Sequence, residues 1–139
     1  MPLTAPTYQP DAIATLLAEI KFDERGLVPA IAQQHDSGEV LMMAWMDRDA
    51  VSETLSSGRV CYWSRSRKAL WRKGETSGHV QTLVDLRIDC DGDTLLVLVD
   101  QVGAACHTGR HNCFFRAIRN DALATIAPVL VDMAKARQD

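Results

Sequence analysis

The sequence predicts an α+β domain built on a strand-rich, mostly antiparallel sheet or partial barrel with a few helices. Segments of β type fill the middle of the chain, and helical periodicity occurs near each end. The 139 residues fit a single domain spanning 1–139, and 47% hydrophobic with 24% charged residues is ordinary for a globular protein. A chain of this size can bury a core without disulfide bonds.

The first elements follow from proline positions and apolar spacing. Residues 1–10 hold three of the five prolines and are expected to form a loose arm. Asp11 can cap a short helix whose apolar residues recur at helical spacing. Strands are predicted at 27–33 and 40–45, on either side of a polar turn. Because Pro29 cannot donate to a ladder, the first strand should lie at an edge or begin late.

A second helix and a third strand come next. Asp47 is a predicted N-cap for a helix that ends just before Gly58. Residues 59–64 are β-branched and aromatic, which predicts a strand. The basic stretch 65–78 is interpreted as a loop.

The second half of the chain predicts two more strands and a terminal helix. Residues 79–88 and 94–103 flank an acidic turn, and the run Leu95–Val99 lacks alternation, which predicts burial on both faces. Residues 121–136 are predicted to be helical, with a kink at Pro128. One face of that helix would carry four apolar residues: Leu123, Ile126, Leu130 and Met133.

Charge and hydropathy exclude several classes of function. The chain has 15 Lys+Arg against 18 Asp+Glu, a net charge of -3, which argues against binding nucleic acid or a membrane through global charge. No apolar run approaches the roughly 18 residues of a membrane span, and the N-terminus lacks the pattern of a secretory signal. We therefore expect a cytoplasmic protein whose four cysteines are reduced.

Three separated cysteines carry the strongest chemical signal. Cys90 is followed by fifteen intervening residues, then Cys106, then six residues and Cys113. This spacing contains no tight knuckle of the zinc-finger type. If folding brings the three thiolates together, they would hold zinc with one open position, as catalytic zinc sites do. The alternative is that the three thiols are buried in the core. For the fourth cysteine, Cys61, we favour core packing.

An acidic turn surrounds the first of these cysteines. Asp89, Asp91 and Asp93 alternate with other residues, so in an extended chain their carboxylates share one face. Three carboxylates suit magnesium, although the same residues could form a solvated turn. An EF-hand loop does not fit, because its required glycine and glutamate are absent.

Two further groups are candidates for binding and proton transfer. His107 and His111 lie in the loop between two of the cysteines, so either could be a base, a ligand or an orienting partner. The basic stretch could bind a phosphorylated small molecule or could be a solubilising loop. Its candidate anion-binding residues are Arg65, Arg67, Lys73, Thr76 and Ser77.

The chain resembles the phosphoribosyl-AMP cyclohydrolase family of histidine biosynthesis, in its monofunctional form. The resemblance covers residues from about 22 to 118, with variable helical segments on either side. It rests on AWMD at 44–47, YWSRSRKALWRKGETSGHVQ at 62–81, DCDGDTLLVLVDQVGAACHTG at 89–109 and CFF at 113–115. One departure is Asn112, where the family pattern has Ser.

The resemblance implies a reaction and a metal set. The family hydrolyses the bond between N1 and C6 of the adenine ring in 1-(5-phosphoribosyl)-AMP, giving ProFAR, with a zinc-bound hydroxide as nucleophile. It implies one zinc per subunit held by Cys90, Cys106 and Cys113, and magnesium held by the three aspartates Asp89, Asp91 and Asp93.

The resemblance also implies proton transfer and assembly. His107 is the first choice for the proton-transfer residue, with His111 and His79 behind it. The family forms an intertwined homodimer, and the zinc site is shared between subunits, with Cys90 from one chain and the other two cysteines from its partner.

Two other classes remain to be compared with this one. A zinc nucleobase deaminase would show H-x-E and P-C-x-x-C motifs, and the sequence has neither. A non-enzymatic zinc domain that binds RNA or protein would show a closed four-ligand site and a basic surface, and the net charge of -3 weakens the second expectation.

Overall fold

The structure, a computed structural model, describes residues 5–133. Within that range it has two helices and eight strands, which confirms the α+β class. The helices are α1 (Pro10–Glu19) and α2 (Arg48–Ser57). The strands are β1 (Val28–Gln34), β2 (Val40–Met46), β3 (Cys61–Ser64), β4 (Ala69–Arg72), β5 (Gln81–Ile88), β6 (Leu95–Gln101), β7 (Arg116–Arg119) and β8 (Ala122–Thr125).

Six strands form one sheet in the order β4-β3-β2-β1-β6-β5, and β7 and β8 form a separate hairpin. Every neighbouring pair is antiparallel except β1 and β6, which run parallel. The core lies between this sheet and the two helices, and its largest fully buried side chains include Tyr62, Leu41, Met46 and Leu83. Within residues 5–133, no helix has the length and apolar character needed to cross a bilayer.

The two helices begin by different means. Asp47 caps α2 as predicted, because its Oδ1 accepts from the backbone N–H of Ala50 at 2.8 Å. Gly58 ends α2 with a left-handed φ of 77°. The prediction that Asp11 caps α1 is wrong: the N-cap is Gln9, and Asp11 lies within the first turn, after a proline that supplies the helical φ.

The expected loose arm at 1–10 is only partly within the described residues, since 1–4 lie outside them. The described part is packed against α2. The backbone N–H of Tyr8 donates to the carbonyl of Leu55 at 3.2 Å, and the Tyr8 ring packs against the core.

Of the two alternatives predicted for the strand with Pro29, the edge position is wrong, because β1 lies in the centre of the sheet, while the late start fits its ladder with β6. It pairs with β2 on one side and β6 on the other. The ladder with β6 starts at Ala30, opposite Leu95, so Pro29 precedes it. The missing N–H of Pro29 therefore removes no bond from that ladder.

Strands β4 and β6 differ from expectation in detail. The sequence predicts a loop at 65–78, but Ala69–Arg72 pairs with β3 across a tight turn in which Lys68 has a φ of 52°.

Strand β6 has a neighbour on each side, yet its residues alternate between buried and half-buried. The prediction that Leu95–Val99 is buried on both faces is therefore wrong for one face of β6, whose side chains are only half-buried.

The predicted helix at 121–136 is wrong for residues 121–132, and 134–136 lie outside the described residues. Asn120 and Asp121 both have positive φ, at 52° and 63°. This is the backbone of a type I′ turn, which joins β7 to β8. The apolar spacing that suggested a helix instead leaves large side chains exposed on and after the hairpin, namely Leu123, Ile126 and Leu130.

Candidate active site

The loop that follows β6 brings two of the three candidate zinc ligands together. The thiols of Cys106 and Cys113 lie close enough for each to influence the pKa of the other. The backbone N–H of Cys106 donates to the carbonyl of Arg110 at 3.2 Å, and that of Cys113 donates to the carbonyl of Leu41 at 2.7 Å. The loop is therefore closed on itself and tied to β2.

The two thiols ionise differently. Burial alone would raise the pKa of Cys106, but hydrogen bonds from the Thr108 hydroxyl, at 3.1 Å, and from the Thr108 backbone bring that pKa below the ordinary thiol value. Desolvation, followed by the negative charge of Cys106, raises the pKa of Cys113 to about 11. One thiolate is favoured here, and a second requires a compensating cation. This donor set fits a soft divalent metal such as zinc.

The third candidate ligand lies elsewhere in the chain. Cys90 is exposed in the turn that precedes β6, whereas Cys106 and Cys113 follow that strand. From Leu95 to Gln101 a strand extends roughly 20 Å, so one chain does not bring the three thiols together. Among the described residues, the only set of three or more candidate ligands that meets is the aspartate cluster.

That cluster consists of Asp89, Asp91 and Asp93, as predicted from their alternation. Their carboxylate oxygens lie within 4.8 Å of one another, and all three side chains are exposed. The hydrogen bond with Asp89, which places two carboxylates side by side, raises the pKa of Asp93. A close set of hard oxygen donors fits magnesium.

A cavity of about 440 Å³ lies beside the cysteine loop. It brings His107 together with four of the predicted anion-binding residues: Arg67, Lys73, Thr76 and Ser77. Arg72, which belongs to the same basic stretch, and Trp71, which sequence reasoning missed, complete this wall. The missed strand β4 explains why Trp71 was omitted, because its pairing with β3 carries both side chains to the cavity.

Lys73 joins the basic stretch to the cysteine loop. Its Nζ donates to the carbonyl of Ala105 at 2.6 Å and lies 5.1 Å from the centre of the Trp71 ring. Burial lowers the pKa of Lys73, and the neighbouring thiols oppose that effect. A cation thus faces the position where two thiolates would accumulate negative charge.

Three other predicted residues lie outside this cavity. The guanidinium of Arg65 is 4.9 Å from the centre of the Trp45 ring, in a separate cleft. His79 lies beneath the cysteine loop, where its Nδ1 accepts from the backbone N–H of Ala104 at 3.4 Å. His111 contacts Glu39, a residue that sequence reasoning also missed because it is 72 positions away in the chain.

An α+β domain that sets an exposed histidine and a cationic wall around one cavity, beside a loop that carries two thiols, has the features of an enzyme for a small anionic substrate. A family model described as phosphoribosyl-AMP cyclohydrolase matches residues 42–115. The chain belongs to the phosphoribosyl-AMP cyclohydrolase family, which is a family of hydrolases, and this confirms the resemblance found in the sequence.

Curated relatives extend the match over most of the chain. A phosphoribosyl-AMP cyclohydrolase of Rhodospirillum centenum is 68% identical over 86% of this chain and 90% of the relative. Those of Granulibacter bethesdensis and Acidiphilium cryptum are 67% and 65% identical over 81% of this chain, covering 89% and 97% of the relatives.

Proposed function

We propose that this chain hydrolyses the N1–C6 bond of the adenine ring of 1-(5-phosphoribosyl)-AMP, giving ProFAR in histidine biosynthesis. The observation that carries this proposal is the cavity in which His107 and the cationic wall meet, with Lys73 joining that wall to the loop that carries Cys106 and Cys113. The proposal treats residues 1–139 as one domain.

The substrate explains the charge of the cavity. Ribosylation at N1 makes the ring amidinium-like and C6 electrophilic, so water can add at C6 and the C6–N1 bond then opens. The two phosphate groups of the substrate require cationic and hydroxyl partners. Arg67 and Lys73 supply charge, and Thr76 and Ser77 supply donors on the same wall.

His107 is the residue we propose for proton transfer. Its side chain is exposed and lines the cavity, whereas neither His79 nor His111 does so. A base in this position can take the proton from the attacking water and return it to the ring nitrogen released.

We propose that zinc is held by Cys106 and Cys113 of one subunit and Cys90 of a second, and magnesium by Asp89, Asp91 and Asp93. When bound, zinc supplies a Lewis acid that lowers the pKa of water toward about 7. The chain contributes the adjacent thiols, and the cation of Lys73 beside them limits the build-up of negative charge.

A homodimer is supported by the surface as well as by the separation of the cysteines. The hairpin β7–β8 pairs only with itself among the described strands, and an isolated two-stranded hairpin is marginally stable in water. Large apolar side chains near it are 50–68% exposed, and such a patch marks an interface. They are Phe114, Ile118, Leu123, Ile126, Val129 and Leu130.

The direct test supplies phosphoribosyl-AMP to the purified chain and follows the absorbance change as the purine ring opens. We expect turnover that a chelator abolishes and that added zinc restores. Full activity after complete removal of metal would contradict the zinc proposal, and no turnover by the zinc- and magnesium-loaded protein would contradict the function. Release of ammonia in place of ring opening would indicate a deaminase.

A further inference from the structure

Glu39 lies in the turn between β1 and β2, and its carboxylate reaches the cysteine loop. The Nδ1–H of His111 donates to its Oε1 at 2.8 Å, and the side-chain amide of Asn112 donates to its Oε2 at 2.6 Å. Both carboxylate oxygens are thus used by consecutive residues of one loop. We call this arrangement the Glu39 clasp.

The clasp is anchored on the sheet side. The carbonyl of Glu39 accepts from the backbone N–H of Gln34 at 2.8 Å, and its own N–H donates to the Ser37 hydroxyl at 3.2 Å. The turn that carries Glu39 is therefore held at both of its backbone groups, so the carboxylate projects from a fixed point.

On the loop side, the clasp is connected to both thiol-bearing residues. The carbonyl of His111 accepts from the N–H of Ala105 at 3.1 Å, next to Cys106. The side-chain oxygen of Asn112 accepts from the N–H of Phe114 at 2.8 Å. This bond joins the residues on either side of Cys113. Displacement of His111 and Asn112 would therefore move both sulfur atoms.

This geometry uses both ends of the Asn112 side-chain amide, at a position where the resemblance to the family predicts Ser. A serine there is too short to reach Glu39 while also accepting from the backbone of residue 114. The amide has a donor and an acceptor at its end, and both are used.

We infer that Glu39 is a positioning residue that fixes the Cys106–Cys113 pair through His111 and Asn112 and so sets the affinity of the loop for zinc. The inference rests on the proposed function, because it assumes that these thiols are zinc ligands. Residues that orient metal ligands typically change metal affinity by roughly 10- to 100-fold when they are removed. Glu39 does not line the cavity, so substrate binding should be unaffected.

The test compares three variants of the full-length protein. Glu39→Ala removes the clasp, Glu39→Gln keeps the shape and one acceptor oxygen, and Gln33→Ala is the matched control. Gln33 donates to the carbonyl of Gly38 at 2.8 Å, so its loss loosens the same turn without touching the cysteine loop.

Zinc affinity is measured by competition with a chromogenic chelator, and amide exchange is measured on the metal-free protein. We expect Glu39→Ala to bind zinc roughly 10- to 100-fold more weakly, Glu39→Gln to be intermediate, and Gln33→Ala to match the wild type. Amide exchange at residues 106–114 should be fastest in Glu39→Ala, intermediate in Glu39→Gln and unchanged in Gln33→Ala. In the zinc-loaded enzymes kcat should fall while KM stays constant.

Two outcomes overturn the inference and are distinguishable. If the wild type binds zinc and turns over while Glu39→Ala and Glu39→Gln bind zinc equally well, the clasp has no positioning role and the proposed function stands. If Gln33→Ala loses as much affinity as Glu39→Ala, the cause is the turn and not the carboxylate. A wild type that binds no zinc would instead overturn the metal site itself. If Glu39→Ala does not fold, the comparison of Glu39→Gln with Gln33→Ala decides.

Discussion

His107 and His111 share a loop, but their surroundings separate their roles. His107 is exposed at the wall of the cavity, while His111 has Nδ1 engaged by a carboxylate at 2.8 Å. A base needs a nitrogen that faces the substrate, whereas an orienting residue needs fixed partners. The exposed position of His107 at the cavity therefore favours it over His111 for proton transfer.

His107→Ala should retain zinc and lose about 100-fold or more in kcat, because a general base contributes that much. Steady-state kinetics over a range of pH, with metal content measured in parallel, tests this. His35→Ala is the control, since His35 is exposed in the β1–β2 turn and does not line the cavity. An unchanged rate and pH profile in His107→Ala would exclude the role.

Sequence alone could find the contiguous candidates at this scale, because cysteines, aspartates and a basic stretch are visible as local patterns. It could not find Glu39, whose partners are 72 and 73 positions away. A half-buried glutamate in a polar turn carries no local signal, and only the pairing of β1 with β2 brings it to the loop.

The elements were predictable where the signal is local. Helix α2 has a capping aspartate and a terminal glycine within its own sequence, and both act as expected. The hairpin β7–β8 was mistaken for a helix because its apolar residues fit a helical spacing, while the turn at Asn120 and Asp121 lacks the glycine that usually identifies type I′. The central position of β1 depends on β6, 65 residues further along at Ala30 and Leu95, and has no local signal.

At the scale of elements, Asp47→Ala should lower the free energy of unfolding by about 1 kcal/mol, because the N–H of Ala50 loses its acceptor. Thermal or denaturant unfolding measures the change. Asp49→Ala is a matched control, since Asp49 is in the first turn of α2 but accepts no capping bond there. Equal losses in the two variants would show that helix-dipole charge, and not the cap, is responsible.

At the scale of the whole molecule, the sheet separates the candidate metal-binding groups. The aspartate turn with Cys90 precedes β6, and the cysteine loop follows it. The sequence predicts a strand at 94–103 between Cys90 and Cys106, but it does not show whether the chain folds back to join the three thiols. The structure shows that β6 is a single extended strand between the two loops, and under the proposed function two chains assemble to join them.

Mixing inactive Cys90→Ala and Cys106→Ala chains tests the shared site. A heterodimer would hold one site with both substitutions and one intact site, so random exchange should restore about a quarter of the wild-type sites. The measurement is activity and zinc content after verified subunit exchange. A mixture of Cys106→Ala with Cys113→Ala is the control, because no combination of those chains gives an intact site. Recovery in neither mixture would place all three ligands in one chain.

Strand β6 also has a thermodynamic consequence in the proposed dimer. Its two ends would serve different catalytic centres, so an isolated chain would hold half of each of two centres and the whole of none. Metal loading and association would then be linked by mass action: stripping the zinc should weaken the dimer, and dilution should release the zinc. Specific activity would depend on protein concentration even at saturating substrate.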